Sequence, residues 1–353
     1  MDTKLLTASV LAVCLLAASC QRPLIVKDDD SKSKAHWELL DYPAERLVLG
    51  LHATPFELYV ISENQFSRYD GNRVLLEKRP LDVGSGITGT PALSDNAFVR
   101  MTTDDQSRQT IEFHLARNPA QIVKIIADDL LSDGEGHLEV EYFARRLGAF
   151  STDGALFLLP ARLLPARHYV LFLFELEYNT AHTTFTSVKS VKRINLPELG
   201  TLPPSMNNVR FADGNFYVTS QHGAWRITPS GDVLKIFPQW MRDVFEWQDK
   251  LYITGLNSFD LHESTDKGLT WTRLNQNSEL KMVETVGDLV LTHEVLGNPY
   301  LSMLGDFVKA KKIVYPAGAS TNPSVYYGAA FFAGQYFFSI DREVYFTDKV
   351  VVE

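Results

Sequence analysis

Side chains able to do chemistry are present in this sequence but thinly spread. Nine histidines occur with no H-x-H pair and no H-E-x-x-H helix, so no metal-ligand spacing stands out. Asp128-Asp129 and Ser132-Asp133-Gly134-Glu135 are acidic and loop-like, yet lack the alternating oxygen ligands of a calcium loop. G-x-S-x-G is missing, as are a phosphate-cradling Walker loop and a dinucleotide fingerprint. Arg100, Arg210, Arg226 and Arg242 can bind an acidic ligand only if the fold makes them converge; the plainer expectation is paired surface arginines. The expectation is no catalytic set, no metal and no cofactor. The formal charge of −9 argues against nucleic acid as a partner, which needs clustered Lys and Arg.

Cys14 and Cys20 are the only cysteines. Lys4 precedes an uncharged apolar run from Leu5 to Ala18, which ends in Ala17-Ala18-Ser19-Cys20. That layout predicts a secretory signal over residues 1–19, too short to span a bilayer. Small residues running into a cysteine resemble the lipobox of bacterial lipoproteins, with Ala17 where that family usually has Leu. The resemblance implies cleavage before Cys20 and a lipid on its thiol, which makes the membrane a partner. A plain secretory signal with a chance cysteine is the alternative. Gln21 in place of Asp implies, by the family's sorting rule, an outer-membrane lipoprotein of the bacterial envelope. Removing residues 1–19 takes away one Lys and one Asp, so the charge is unchanged. Residues 20–35, with Asp28-Asp29-Asp30-Ser31-Lys32-Ser33-Lys34, read as the lipidated end and a flexible tether.

From residue 36 to 353 the pattern is that of strands. Short apolar runs rich in Val, Ile, Phe and Tyr alternate with Gly, Asp and Asn. One unit recurs, a tight polar turn followed by a strongly apolar strand. It stands at Pro55–Val60, Ser94–Val99, Thr152–Phe157, Ala212–Val218, Gln248–Ile253, Val286–Leu291 and Ala333–Phe338. Second hairpin turns fall at Asp70-Gly71-Asn72, Asn118-Pro119, Pro229–Asp232, Asp266-Lys267-Gly268 and Gly305-Asp306. Two hairpins make a four-stranded antiparallel sheet, and seven sheets leave about 44 residues each, the size of a propeller blade. The expectation is an all-β propeller, most simply of seven blades. The third unit is longest and should carry extra length in its loops, and residues 36–40 should add an outer strand that closes the ring.

Ser264-Thr265-Asp266-Lys267-Gly268-Leu269-Thr270-Trp271 fits S-x-D-x-G-x-T-W. It closely resembles the Asp-box (BNR repeat) of sialidases, sortilin-type receptors and photosystem II assembly-factor-like propellers. The resemblance implies a structural role on an outer hairpin: Asp266 accepting turn amides, Gly268 supplying a rare backbone conformation, Trp271 packing below, Ser264 and Thr270 completing the turn. The sialidase family also implies three arginines, the first in an R-I-P motif. The nearest string here is Arg193-Ile194-Asn195, mid-chain.

In a propeller the connections after the second and fourth strands gather on one face. Here they bring His222, Trp240, Arg242 and Asp260 within reach of one another as a candidate binding face for a protein or glycan. Trp225, Trp240 and Trp247 can instead pack between blades. The functional expectation is a membrane-anchored, non-catalytic binding or assembly module. The alternative is a sialidase-like glycoside hydrolase or lyase with its residues dispersed over the blades.

Overall fold

The computed structural model describes residues 36–42, 46–81, 91–103, 108–140, 148–165, 168–179, 185–196, 206–255, 261–275, 280–293, 300–303, 306–316, 319, 326–340 and 342–353. Cys20, the signal, the tether, Asp260 and the turn at Gly305 lie outside the described residues.

The described strands form seven antiparallel sheets, six of four strands and one of five. Strands are lettered A to D from the centre outward. Blade 1 is Val48–Ala53, Leu58–Ser62, Gln65–Tyr69 and Leu75–Pro80. Blade 2 is Ala92–Leu93, Ala97–Thr103, Gln109–Leu115 and Asn118–Ile126. Blade 3 is Ala149–Phe150, Leu156–Leu164, His168–Tyr178 and Phe185–Asn195. Blade 4 is Met206–Ala212, Asn215–Ser220, Gly223–Ile227 and Val233–Phe237. Blade 5 is Met241–Trp247, Lys250–Gly255, Leu261–Ser264 and Thr272–Asn275. Blade 6 is Met282–Val286, Leu289–His293, Tyr300–Met303 and Asp306–Lys312. Blade 7 is Tyr326–Phe332, Gln335–Ile340 and Glu343–Thr347, with Glu38–Leu39 as its outer strand. Glu38 pairs with Phe346 and Leu39 with Tyr345, so the start of the chain closes the ring against its end.

Each seam between blades has its own apolar core. Blade 3 meets blade 4 through Leu171, Phe216 and Trp225 among others, and blade 7 meets blade 1 through Val60, Tyr69 and Phe337. The remaining five seams are filled in the same way. B strands read as continuous apolar runs because both of their faces are buried, as in Phe216-Tyr217-Val218 and Leu251-Tyr252-Ile253. Side-chain hydroxyls then stitch one blade to the next. Thr219 Oγ1 donates to Arg242 O (2.9 Å), and Thr254 Oγ1 to Lys281 O (2.9 Å). A bulge recurs early in the A strands of blades 1, 4, 5 and 7, where Leu49, Asn207, Arg242 and Tyr327 are the skipped residues.

Two expectations need correction. The second turn of blade 2 sits at Ala116-Arg117, and Asn118 already begins strand D, because Asn118 pairs with Leu115 across the hairpin. The extra length of blade 3 goes into strands rather than loops alone. Strands C and D are 11 residues each. A fifth strand, His137–Glu139, pairs with the end of strand B beyond Ala149–Phe150.

Candidate functional site

The A-strand regions of six blades, all but blade 5, line a central cavity of about 600 Å³. Its wall is rich in small residues, including Gly50, Ala53, Ala149 and Gly328, which keep the channel open. Polar groups on this wall and just behind it bond from blade to blade. Asp243, at 0% exposure, accepts four hydrogen bonds: from Asn208 Nδ2 (2.6 Å), Arg210 Nε (2.9 Å), Arg210 Nη2 (2.9 Å) and Val283 N (2.8 Å). Arg210 also donates to Val283 O, so this one group clasps the A strands of blades 4, 5 and 6. Across the channel, His52 Nε2 lies 2.8 Å from Asp95 Oδ1, joining blade 1 to blade 2. Glu284, on blade 6, lines the same cavity.

Of the four arginines singled out from the sequence, only Arg210 lines this cavity among the described residues. Arg100 is buried within blade 2, where Nε and Nη2 meet Glu112 Oε2 at 2.8 Å. Burial alone would raise the Glu112 pKa, but hydrogen bonds from His114 and Lys124 and the Arg100 charge outweigh it and hold the group down at about 2. Arg226 donates to Lys267 O on the outer side of blade 4 (3.1 Å). The sialidase pattern of converging arginines is therefore not assembled by these residues. The acidic run before blade 3 is also committed. Asp128 accepts from Leu138 N (2.8 Å), and Glu135 takes Arg193 Nη1 (2.7 Å). Among the described residues no cluster of His, Cys, Asp and Glu could hold a metal ion, and no helix is long and apolar enough to cross a membrane.

Of the predicted binding residues, His222, Trp240 and Arg242 fall at the junction of blades 4 and 5. His222 sits in the B–C turn of blade 4, half-buried, its backbone N–H donating to Ser220 Oγ (2.9 Å). Gly223 follows with φ +136°, and a Cβ there would lie 2.2 Å from Phe237 O, so only glycine lets the turn close so tightly. Trp240 and Arg242 flank the start of blade 5 and are half-buried. The Trp240 indole N–H is buried without an acceptor, as a residue partly wedged at the seam would be. Arg242 is the bulged residue of its strand, and bulges re-aim a side chain relative to its neighbours. The Thr219–Arg242 bond ties the strand leading to His222 directly to this bulge. Trp225 is fully buried and Trp247 nearly so, and both belong to seams.

The Ser264–Trp271 turn is on the opposite rim, between strands C and D of blade 5. Asp266 accepts four bonds, from Ser264 Oγ (2.8 Å), Leu269 N (3.1 Å), Thr270 N (2.8 Å) and Thr270 Oγ1 (2.6 Å). The Thr270 hydroxyl above all, then the amide and Ser264 bonds, hold its carboxyl at about 2. Gly268 takes φ +77°, and Trp271 Nε1 donates to Gly268 O (3.1 Å) while the ring packs edge-on to Phe237 of blade 4. Every one of these Asp266 partners is in its own turn.

Sequence reasoning missed Asp243 and the His52–Asp95 pair. Their partners lie about one blade away in sequence, so the repeat itself was the available signal: Asn208 and Asp243 occupy equivalent places, opposite Thr219 and Thr254.

No protein-family model matches the chain, and no curated protein matches it in sequence. Solved structures do resemble it. A catalytically inactive virginiamycin B lyase from Staphylococcus aureus superposes with a TM-score of 0.54 at 11% identity, covering 89% of this chain and 98% of that one. The extracellular domain of the B. thetaiotaomicron system BT4673 gives 0.55 at 12% identity, over 89% of this chain and 40% of that one. The WD40 domain of Neurospora crassa Pan2 gives 0.50 at 9% identity, over 90% and 97%. At such identities the shared property is the architecture: this chain folds as an all-β propeller of antiparallel blades.

Proposed function

We propose that this chain is a lipid-anchored propeller of the bacterial cell envelope that binds or helps assemble a protein or glycan partner without catalysis. The observation carrying this reading is the commitment of Arg210, Asp243, His52 and Asp95 to bonds between blades, which ties the blades into a rigid frame around the channel. Recognition then falls to the turn face at the junction of blades 4 and 5, with His222, Trp240 and Arg242. Asp260 is assigned to the same face from its place in the sequence. In this reading Ser264–Trp271 is an Asp-box that stiffens the outer rim, and Cys20 carries the lipid.

Arg242→Glu tests the face. Capture of envelope proteins or of an arrayed glycan, compared with the unaltered chain, should fall at least five-fold while the thermal unfolding curve stays in place. Unchanged capture removes the binding site from this face. Cys20→Ala tests the anchor: the altered chain should leave the salt-washed membrane fraction, and retention there rejects a lipid attachment.

A second reading, a glycoside hydrolase or lyase, is favoured by the presence of His52, Arg210 and Glu284 on one 600 Å³ cavity. Turnover of a sialoside or polysaccharide that disappears with His52→Ala would replace the first reading with this one.

A further inference from the structure

Exposed apolar side chains are unevenly distributed over the ring. Blade 1 exposes Phe56 (74%), Val74 (56%), Leu76 (49%) and Leu75 (41%), whereas no other blade exposes more than two large hydrophobics among the described residues. Phe56 lies in the A–B turn of blade 1, and Val74–Leu76 run from its C–D turn into strand D. Both turns are on the same rim, because A–B and C–D connections of a propeller blade leave the sheet on one side.

The four side chains are held on a stiff frame. Thr54 Oγ1 accepts from Phe56 N (3.2 Å) and Glu57 N (2.9 Å), fixing the turn that carries Phe56 outward. Arg68 links the two parts of the patch, with Nη1 3.1 Å from Glu57 Oε2 and Nε 2.9 Å from Glu77 Oε2. Glu57 follows Phe56 and Glu77 follows Leu76, so Arg68 ties the turn that carries Phe56 to the strand that carries Leu75 and Leu76. Asp70 Oδ1 accepts from Asn72 N (2.9 Å) and Val74 N (2.8 Å), which shapes the second turn. Four exposed large hydrophobics on one blade rim are a concentration that the other blades lack, and such concentrations are where interaction surfaces are sought.

The course of the chain says what covers it. Arg73, next to Val74, lies over the Phe346 ring at 4.5 Å and 4.0 Å from Glu38. Glu38 is two residues after His36, and strand Glu38–Leu39 runs away from this rim toward the opposite face, antiparallel to Glu343–Thr347. The chain that precedes His36 therefore joins the ring at the patch. Residues 21–35 separate it from Cys20, a distance of no more than about 3.5 Å per residue, or roughly 55 Å.

We propose that the blade 1 rim formed by Phe56, Val74, Leu75 and Leu76 rests on the lipid bilayer and sets the orientation of the ring, with the His222–Arg242 face turned away from the membrane. This rests on the reading of Cys20 as the lipidated residue. A lipid chain supplies most of the attachment, and a small apolar surface beside it adds a second, orienting contact.

The experiment uses the full lipidated chain, reconstituted into phosphatidylethanolamine–phosphatidylglycerol vesicles with brominated acyl chains. Because Cys20 carries the lipid, an introduced cysteine can be labelled uniquely with an environment-sensitive bimane, the unaltered chain serving as the labelling control. Asn72→Cys places the probe beside the patch without altering it. Leu234→Cys places one on an exposed leucine of blade 4, across the ring. Flotation reads attachment, and bromine quenching reads which surface meets the lipid. The expected result is flotation of both proteins, with quenching at Asn72→Cys at least twice that at Leu234→Cys. Adding Phe56→Asp and Val74→Asp should lower it to the Leu234→Cys level while flotation persists. Flotation with equal quenching at the two probes overturns the patch and leaves the anchor standing. A chain that fails to float overturns both.

Discussion

Asp243 and Asp266 each accept four hydrogen bonds, yet they do unlike things. Asp266 stands on the outer rim, and its donors come from Ser264, Leu269 and Thr270, all within four residues. Asp243 is buried in the A strand of blade 5, and its donors come from Asn208, Arg210 and Val283, on the two neighbouring blades. One carboxylate shapes a turn; the other holds three blades in register. Local satisfaction costs little chain entropy and is readily replaced by water when lost. A buried carboxylate joined to remote donors leaves a charge and several polar groups stranded when it is removed.

The largest effect should come from breaking the remote set. Asp243→Ala should destabilise the propeller by about 3–5 kcal/mol, because Arg210, Asn208 and the Val283 amide lose their shared acceptor in a dry site. Urea unfolding with an unchanged slope and a lowered midpoint would show it. A shift no larger than that of a surface substitution would mean that water reaches the clasp. Asp266→Ala should lower the melting temperature by less than half as much, and capture of a partner by the folded protein should persist. Abolished capture with an intact melting curve would reverse the assignment of Asp266 as structural.

Acid sharpens the contrast. The Asp266 carboxyl is held at about 2, below the value near 4 of an unfolded aspartate. Its contribution is therefore fully present above about pH 4 and is lost as the pH falls through about 2. The difference in melting temperature between the unaltered chain and Asp266→Asn should be flat from about pH 7 to 4 and shrink below that. A difference that grows on acidification would contradict the depressed value. The smallest effect is expected where the same turn touches blade 4 through an exposed ion pair, Lys267 Nζ to Asp213 Oδ1 at 3.2 Å. Lys267→Gln should cost about 0.5 kcal/mol or less, and that little should fade with added salt.

The same contrast explains what could be read from the residues. The Asp266 turn is legible because its partners are contiguous, and so are the A–B turns such as Ala212-Asp213-Gly214-Asn215, where Asp213 and Gly214 take positive φ. Seven such turns in sequence order are enough to count the blades. The C–D turn of blade 2 was displaced by two residues because Pro119 suggests a turn, while Leu115–Asn118 pairing places it at Ala116-Arg117. Asp243 and the His52–Asp95 pair were not legible, since each joins residues 33 to 43 positions apart. Nothing local distinguishes Asp243 in Met241-Arg242-Asp243-Val244 from a surface aspartate.

The closing strand gives the ring a mechanical weak point and a reinforcement at the same place. Glu38–Leu39 is only two residues long, and it is the first part of the ring to feel any pull applied from the N-terminal side. Such a pull would peel its two backbone pairs one after the other were it not for side-chain fastenings on both flanks. Trp37 Nε1 donates to Val314 O (2.8 Å), and its ring stacks on Tyr315 and meets Phe338 edge-on. On the other flank Glu38 faces Arg73. Load entering at residue 36 is thus shared among blades 6, 7 and 1 before any single sheet is unzipped. The order of synthesis adds a second consequence: the first strand of the ring to be made must wait for residues 343–347, the last strand of the ring, before the circle can shut.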